Sequence, residues 1–164
     1  MNDGLRFIDK LVTRMGKSFG SELTLKANMK IELFDKDGNL KEVREVHNTV
    51  TNAGKYGLMD QALDAPTLSK VGWVELGTGS PASTLLGAYI TGSRVAFTTK
   101  TRLNAVITIV GNWGAGVGTG AITEAGLFDV VTQNTVNMWC SASFAVINKG
   151  ANDTLQITWT LSAS

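Results

Sequence analysis

The strictest pattern in this sequence is the alternation of apolar and polar side chains in residues 23–34, LTLKANMKIELF. Every second position from Leu23 to Leu33 is apolar, and Thr, Lys, Asn and Glu fill the positions between them. Successive side chains of a β-strand point to opposite faces, so this period of two predicts a strand with one face on a core and the other in water. Residues 154–161, TLQITWTL, repeat the pattern and predict a second such strand. Its predicted inward side chains are Leu155, Ile157, Trp159 and Leu161.

Other strand-like segments fill most of the chain and are separated by short turn-like segments rich in Gly, Ser, Thr and Asn. The further predicted strands cover residues 70–77, 93–99, 102–110, 125–131 and 136–147. Asp37-Gly38 is a strong hairpin signal, and the charged run that follows predicts an edge strand, where charges discourage stray pairing. The long strand 23–34 either links the anchor of the N-terminal segment to the sandwich or provides a second edge for pairing with a neighbouring chain. Many short strands with close turns predict a mainly β domain, either an antiparallel β-sandwich or a jelly-roll-like fold.

Two short helices are expected beside the strands. Residues 51–63, TNAGKYGLMDQAL, predict an internal helix with Asn52 as its N-cap. Residues 3–16 predict an N-terminal helix, because apolar side chains recur there at helical spacing. These apolar side chains, which are candidate interface residues, are Leu5, Ile8, Leu11, Val12 and Met15. The chain is therefore divided into an N-terminal arm, residues 1–22, and a β-sandwich domain, residues 23–164. The arm docks either on its own domain or on a neighbour.

Charge is distributed unevenly along the chain. Of the 29 charged residues, 17 lie in residues 1–47 and only 12 in residues 48–164, while the net charge is +1. Such a charge-poor surface indicates either a domain solvated by hydroxyl and amide groups or a domain packed against other subunits. Nothing is basic enough to indicate a nucleic-acid partner. No apolar stretch reaches the ~20 residues of a membrane helix, and no secretory signal is expected.

The glycine-rich stretch NWGAGVGTG follows an apolar run, as nucleotide-binding loops do. Gly116, Gly118 and Ala121 match the G-x-G-x-x-G/A spacing. However, a dinucleotide loop must open a helix whose N-terminal amides face the pyrophosphate. The residues that follow are β-branched and interrupted by Gly126, and no Gly-Lys-Ser/Thr of a P-loop is present. The stretch therefore predicts a wide turn between two strands, with positive backbone angles at its glycines and no cofactor.

Candidates for catalysis or metal binding are few. His47 is the only histidine and Cys140 the only cysteine, so neither a His/Cys zinc site nor an internal disulfide can form. Ser80 lacks the G-x-S-x-G of a nucleophile elbow, Cys140 is expected to be buried and inert, and His47 structural or simply exposed. DKDGN, residues 35–39, begins like a calcium loop, but Val46 stands where the loop needs a glutamate. We predict a protein that is not an enzyme and that binds no metal or cofactor.

The tryptophans and one carboxylate provide the remaining site predictions. Most of the four tryptophans are expected in the core, but Trp113, within the glycine-rich stretch, is predicted to be exposed or at an interface. A row of exposed tryptophans would form a sugar-binding platform. Glu124 lies between small and apolar residues in ITEAGLF, so it is expected to be partly buried and in need of donors. We predict a structural role in which Glu124 pairs with Arg94 or accepts backbone amides at a turn.

An ordered series of short motifs resembles small virion proteins of tailed bacteriophages. The series is HNTVTNAG (47–54), WVELGTGSPAS followed by TLLG (73–87), Arg94, ITEAGLFD (122–129) and NKGANDTLQITWTL (148–161). Proteins of this kind are often capsid decoration, or cement, proteins, and related patterns occur in tail-collar fibre proteins. The resemblance covers about residues 23–164 and implies a β-rich domain without catalysis that contacts other virion subunits. The arm is outside this pattern.

The resemblance leads to one expected function and two alternatives. The first is a capsid decoration protein, located on the capsid surface of a virion after synthesis in the host cytoplasm. Its partners would be the major capsid protein or other virion subunits, and it would form a homo-oligomer without nucleic acid or membrane. The alternatives are a tail, collar, baseplate or fibre component, and a carbohydrate-binding attachment module.

Overall fold

The computed structural model describes residues 24–164 of the chain. This range contains ten strands and one helix. The strands form two antiparallel five-stranded sheets, which confirms the predicted mainly β sandwich. In chain order the elements are β1 (Leu25–Phe34), β2 (Leu40–His47), β3 (Thr49–Val50), α1 (Asn52–Asp60), β4 (Trp73–Gly77), β5 (Val95–Ala96), β6 (Thr99–Leu103), β7 (Val106–Trp113), β8 (Gly120–Phe128), β9 (Met138–Lys149) and β10 (Thr154–Ala163). The predicted arm, 1–22, lies outside the described residues.

The first sheet has the strand order β2-β1-β10-β7-β6. The two strands with strict alternation, β1 and β10, pair along their whole length, from Leu25 opposite Ala163 to Phe34 opposite Thr154. Their apolar positions face the core as predicted, and Ile31 and Ile157 lie directly opposite each other in it. The prediction of β1 as an edge is wrong, because β10 pairs with one side of β1 and β2, the return strand of the Asp37-Gly38 hairpin, pairs with the other. The charged strand β2 is an edge, as expected.

The second sheet has the strand order β3-β9-β8-β4-β5 and packs face to face on the first. The shared core draws large side chains from both sheets. Examples are Met29, Ile109 and Trp159 from the first sheet and Leu76, Ile122 and Ile147 from the second. Each such side chain contributes about 1.5–3 kcal/mol when it leaves water.

The central strands β4 and β8 are buried on both faces. Their inner side chains enter the main core. Their outer face carries Glu75 and Glu124, together with a small apolar cluster around Phe128. Two connections, residues 78–92 and 129–137, cover this outer face. Polar groups on it are therefore removed from water although they lie outside the main core.

The N-cap of helix α1 lies one residue earlier than predicted. Thr51, rather than Asn52, is the N-cap, and its Oγ1 accepts from the amide of Gly54 at 3.1 Å. Glycines that would weaken an isolated helix are needed here, because a Cβ on Gly57 would lie 2.2 Å from Cζ2 of Trp139. The close packing of the helix on Trp139 explains why a weakly helical sequence is helical in this fold.

Several predicted strand segments have different limits in the structure: 125–131 belongs to β8, which already begins at Gly120, and 70–77 is shortened to β4. The segment 102–110 is divided between β6 and β7 by a turn at Asn104, whose φ is +52°. Of the segment 93–99, only Val95–Ala96 form β5 and Thr99 begins β6, while the amide of Ser93 donates to the carbonyl oxygen of Ile90 in a turn. The Asp37-Gly38 hairpin is present, with φ of +83° at Gly38.

Candidate functional site

Three parts of the motif series, residues 73–87, Arg94 and residues 122–129, meet on the covered outer face of β4 and β8. Glu124 lies on β8 opposite Gly77 of β4, and the connection 78–92 folds over it. Glu124 Oε1 accepts from the amides of Gly79 and Ala88 at 2.9 and 2.8 Å, and Oε2 accepts from the amide of Gly87 at 2.9 Å. The side chain is fully buried. The carboxylate therefore replaces the solvent that these loop amides would otherwise need.

The glycines of WVELGTGSPAS and TLLG are explained by this contact. A Cβ on Gly77 would lie 2.4 Å from Glu124 Oε1, and a Cβ on Gly87 would lie 2.2 Å from the carbonyl oxygen of Ser80. Real Cβ atoms do not approach other atoms this closely. Glycine is required at both positions so that the loop backbone can reach the carboxylate.

The sequence left two partners open for Glu124, and the structure decides between them. The predicted ion pair between Glu124 and Arg94 is wrong, whereas acceptance of backbone amides is confirmed. The loop supplies three backbone N–H donors, so both carboxylate oxygens are hydrogen-bonded without a cation. Arg94 pairs with another carboxylate of the same face.

Arg94 forms the second polar centre with Glu75. Its Nη2 is 2.7 Å from Glu75 Oε2, and each of the two side chains is only 1% exposed. The guanidinium carbon lies 3.8 Å from the ring centroid of Phe128, so the cation stacks on an aromatic face. Nη1 donates to the carbonyl oxygen of Val130 at 3.1 Å and also to that of Thr132. Arg94 therefore neutralises a buried acid and organises the connection 129–137.

Gln133 links the two connections. Its Nε2 donates to the remaining oxygen of Glu75 and to the carbonyl oxygen of Ile90, and its Oε1 accepts from the amide of Gly92 at 2.7 Å. Glu75, like Glu124, has both oxygens occupied by protein donors. The role of this face is structural, because hydrogen bonds to its two carboxylates hold the two long connections on the sheet.

Sequence reasoning missed Glu75. The available signal was its position in the apolar strand segment GWVELG, where a lone acid between Val74 and Leu76 must find a donor once the strand is buried. Arg94 was predicted only as a possible partner of Glu124. Its assignment to Glu124 failed because both acids lie on the same outer face, and only the folded loops separate their donors.

Trp113 is not exposed, so this prediction is wrong within the described chain. The side chain is 1% exposed, and its Nε1 donates to the carbonyl oxygen of Ser93 at 2.6 Å. The glycine-rich loop after it explains the burial. Gly118 has a φ of +62°, and a Cβ there would lie 2.8 Å from Leu76 Cδ1 and 3.1 Å from Trp113 Cδ1. The loop bends closely over the indole, and a sugar platform built on Trp113 is not possible in this fold.

The glycine-rich loop joins β7 to β8, as the turn prediction required. Positive φ angles occur at Gly116, Gly118 and Gly120, and a strand rather than a helix follows. The buried side chain of Lys149, the last residue of β9, holds the loop: its Nζ donates to the carbonyl oxygen of Gly114 at 2.9 Å. Burial lowers the pKa of Lys149.

The remaining candidate residues have modest surroundings. Cys140 is buried, and desolvation raises the pKa of its thiol to about 12, which agrees with the expected inert thiol. His47 is exposed, and its Nδ1 lies 2.7 Å from Asn28 Oδ1. Among residues 24–164, no three His, Cys, Asp or Glu side chains are grouped as metal ligands would be. The candidate interface residues Leu5, Ile8, Leu11, Val12 and Met15 lie outside the described range.

The chain was compared with known proteins in three ways. No protein-family model, no curated protein and no solved structure matches it. Helix α1, the one helix between residues 24 and 164, is too short to cross a membrane.

Proposed function

We propose that this protein is a capsid decoration protein of a tailed bacteriophage, which binds an assembled head and stabilises it. The observation that carries the proposal is the ordered series of motifs resembling small virion proteins. In the fold, the residues of ITEAGLFD and WVELGTGSPAS hold loops onto a sheet. That role of the motifs supports a rigid structural protein that functions through surface contacts with other subunits.

The surface supports the proposal through its composition. Residues 48–164 carry few charges, and several large apolar side chains are exposed on and just after α1. Tyr56, Met59 and Leu63 are 66%, 64% and 57% exposed and recur at intervals of three and four residues. A cluster of exposed apolar side chains is typical of a protein contact. We assign this patch, the α1 patch, as a contact with the major capsid protein or another virion subunit.

The proposed mechanism is additive contact. Each copy contributes a small binding free energy, and a copy that bridges two capsid subunits gains effective concentration at its second contact. A homo-oligomer on the capsid surface would multiply this effect. The proposal involves no bond-making chemistry, cofactor, nucleic acid or membrane.

Copy number separates decoration from the second candidate, a tail, collar, baseplate or fibre component, which the same motif series supports. Quantitative mass spectrometry of virions that contain this protein should find as many copies as the head lattice has equivalent sites. A number close to that of the tail proteins would replace the decoration proposal with the tail proposal.

A binding experiment tests the α1 patch directly. Undecorated heads are incubated with purified wild-type protein, with Met59→Glu or with the control Leu40→Glu, and bound protein is measured after sedimentation. Leu40 is 54% exposed but lies on the edge strand β2, away from the patch. We expect binding to be lost in Met59→Glu and retained in Leu40→Glu. Equal binding of all three proteins would contradict the patch assignment, and no binding of the wild type would contradict decoration itself.

A further inference from the structure

An apolar groove opens between the two sheets beside the edge strand β6 and helix α1. Its volume is about 480 Å³, and a smaller hollow of about 90 Å³ continues it. The two share Leu58, Ile107 and Leu161. The groove reaches down to Leu127 and Cys140 of the second sheet, while the hollow extends to the first residues of β1 and the last of β10.

The groove is open because the edge strand above it carries long polar side chains where the neighbouring strand is apolar. Lys100 and Arg102 of β6 lie opposite Ile109 and Ile107 of β7, so they stand on the same, inner face of the sheet. Inward-pointing charges protect an edge strand from stray pairing. They also leave Ile107 and Leu161 only partly buried, although both pack against the core.

The described chain begins at this groove. Thr24 and Ser164 exchange two backbone hydrogen bonds of 2.8 and 3.0 Å, and the neighbouring Leu25 and Ala163 line the hollow. The first 23 residues of the sequence therefore join the domain at one end of the groove. Whatever those residues contact, they start from a point where partly covered apolar surface is adjacent.

The segment before Thr24 contains an amphipathic helical pattern, and an apolar groove can bind the apolar face of such a helix. Residues 3–16 are predicted to form an amphipathic helix, which would be about 21 Å long at 1.5 Å per residue. Residues 17–23 form a connection that reaches at most about 25 Å when extended. This length is sufficient for the chain to leave the groove after residue 16, reverse direction within residues 17–23 and enter β1 after Thr24. Apolar helix faces placed in apolar grooves are a common mode of recognition.

We propose that residues 3–16 of the same chain occupy this groove in the free protein and place the side chains of Leu5, Ile8, Leu11, Val12 and Met15 against Leu58, Ile107 and Leu161. The proposal concerns the isolated protein and does not rest on the proposed virion function. It assigns one occupant to the groove, the chain's own N-terminal segment.

A crosslinking experiment on the full chain tests the contact. In a Cys140→Ala background, the pair Ile8→Cys and Leu58→Cys is treated at low protein concentration with a short bis-maleimide, and the products are identified by mass spectrometry. The control pair combines Ile8→Cys with Lys36→Cys, which lies in the hairpin beyond the opposite end of β1. Circular dichroism confirms that both variants are folded.

We expect the pair 8–58 to give a crosslink within one chain and the control pair 8–36 to give little. The proposal is overturned if the yields are equal, if the pair 8–58 does not crosslink, or if its crosslinks join only two different chains. The last result would identify a second copy as the occupant.

A dye-binding experiment needs no cysteines. Leu11→Asp removes an apolar side chain from the predicted buried face, whereas Thr13→Asp adds the same charge on the other face. We expect the fluorescence of an apolar-surface dye such as ANS to increase at least twofold for Leu11→Asp and to stay at the wild-type level for Thr13→Asp. Equal fluorescence of all three proteins would show that residues 3–16 do not cover the groove.

Discussion

Glu75 and Arg94 form an ion pair that is closed to water. Nη2 of Arg94 lies 2.7 Å from Oε2 of Glu75, and both side chains are 1% exposed. Nη1 of Arg94 donates to carbonyl oxygens of the connection 129–137, and the second oxygen of Glu75 accepts from Gln133 of the same connection. The pair therefore joins strand β4 to the connection 129–137, and Gln133 extends the network to the connection 78–92 through the carbonyl oxygen of Ile90.

The two partners of this pair should be energetically coupled, so that their removal is not additive. Arg94→Met leaves Glu75 charged and buried, and we expect it to lower the free energy of unfolding by about 3–5 kcal/mol. The double variant Glu75→Gln with Arg94→Met should lose less than the sum of the two single variants. Urea denaturation of all four proteins measures the coupling. Additivity within about 0.5 kcal/mol would contradict it.

Glu124→Gln should destabilise the connection 78–92. The amide nitrogen of Gln cannot accept a hydrogen bond, so at least one loop amide among those of Gly79, Gly87 and Ala88 loses its acceptor. We expect a loss of about 1–3 kcal/mol in thermal or urea unfolding. The matched control is Glu45→Gln on the exposed edge strand β2, which should change stability by less than about 0.5 kcal/mol. Similar melting temperatures for the two variants would contradict the structural role of Glu124.

Gly87→Ala should be far more harmful than Gly114→Ala. A Cβ at position 87 would lie 2.2 Å from the backbone oxygen of Ser80, whereas no atom lies within 4 Å of a Cβ at position 114. We expect Gly87→Ala to lower the melting temperature clearly and Gly114→Ala to change stability by less than about 0.5 kcal/mol. Differential scanning fluorimetry makes the comparison. Two equal effects would mean that the loop can move away from Glu124 at little cost.

Asp129→Asn should stabilise the protein at neutral pH. Burial raises the pKa of Asp129, Oδ1 of this side chain has no hydrogen-bond partner, and the nearby Arg94 guanidinium offsets only part of the effect. An acid with a raised pKa in the folded state binds its proton more tightly there than in the unfolded chain. The Asp129 carboxylate therefore lowers the free energy of unfolding above its folded-state pKa. This effect disappears below its pKa in the unfolded chain, about 3.9.

The expected result for Asp129→Asn is a gain in unfolding free energy at pH 7 that shrinks as the pH is lowered towards 4. Urea denaturation at several pH values measures it, with the exposed Asp64→Asn as control. A gain that is independent of pH, or a loss at pH 7, would contradict the sign derived from burial.

The local elements of this fold could be predicted from the sequence because their signals are local. The period of two in β1 and β10 depends only on which side chains face a core, and the Asp37-Gly38 turn depends only on backbone angles available to glycine. The glycine-rich loop could be separated from a nucleotide loop for the same reason, since the residues after it favour a strand.

The contacts of the candidate site could not be predicted in the same way. Glu75, Arg94 and Glu124 are separated by tens of residues, and the sequence showed only that buried charges need partners. Which donor reaches which carboxylate is decided by the two connections that fold over the outer face of β4 and β8. The prediction for Trp113 failed for a related reason. Its place in a glycine-rich loop indicated exposure, but in the fold that loop bends back over the indole.

The sequence by itself therefore determined the mainly β architecture, the Asp37-Gly38 and glycine-rich turns, and the need of a buried Glu124 for hydrogen-bond donors. Only the tertiary structure decided that Glu124 is held by loop amides, that Arg94 belongs to Glu75 and that β1 lies inside a sheet. The physical reason is the distance along the sequence over which each interaction acts. Strand and turn preferences act between neighbours along the chain, whereas pairing of buried charges and strand order depend on distances that exist only after the two sheets have packed together.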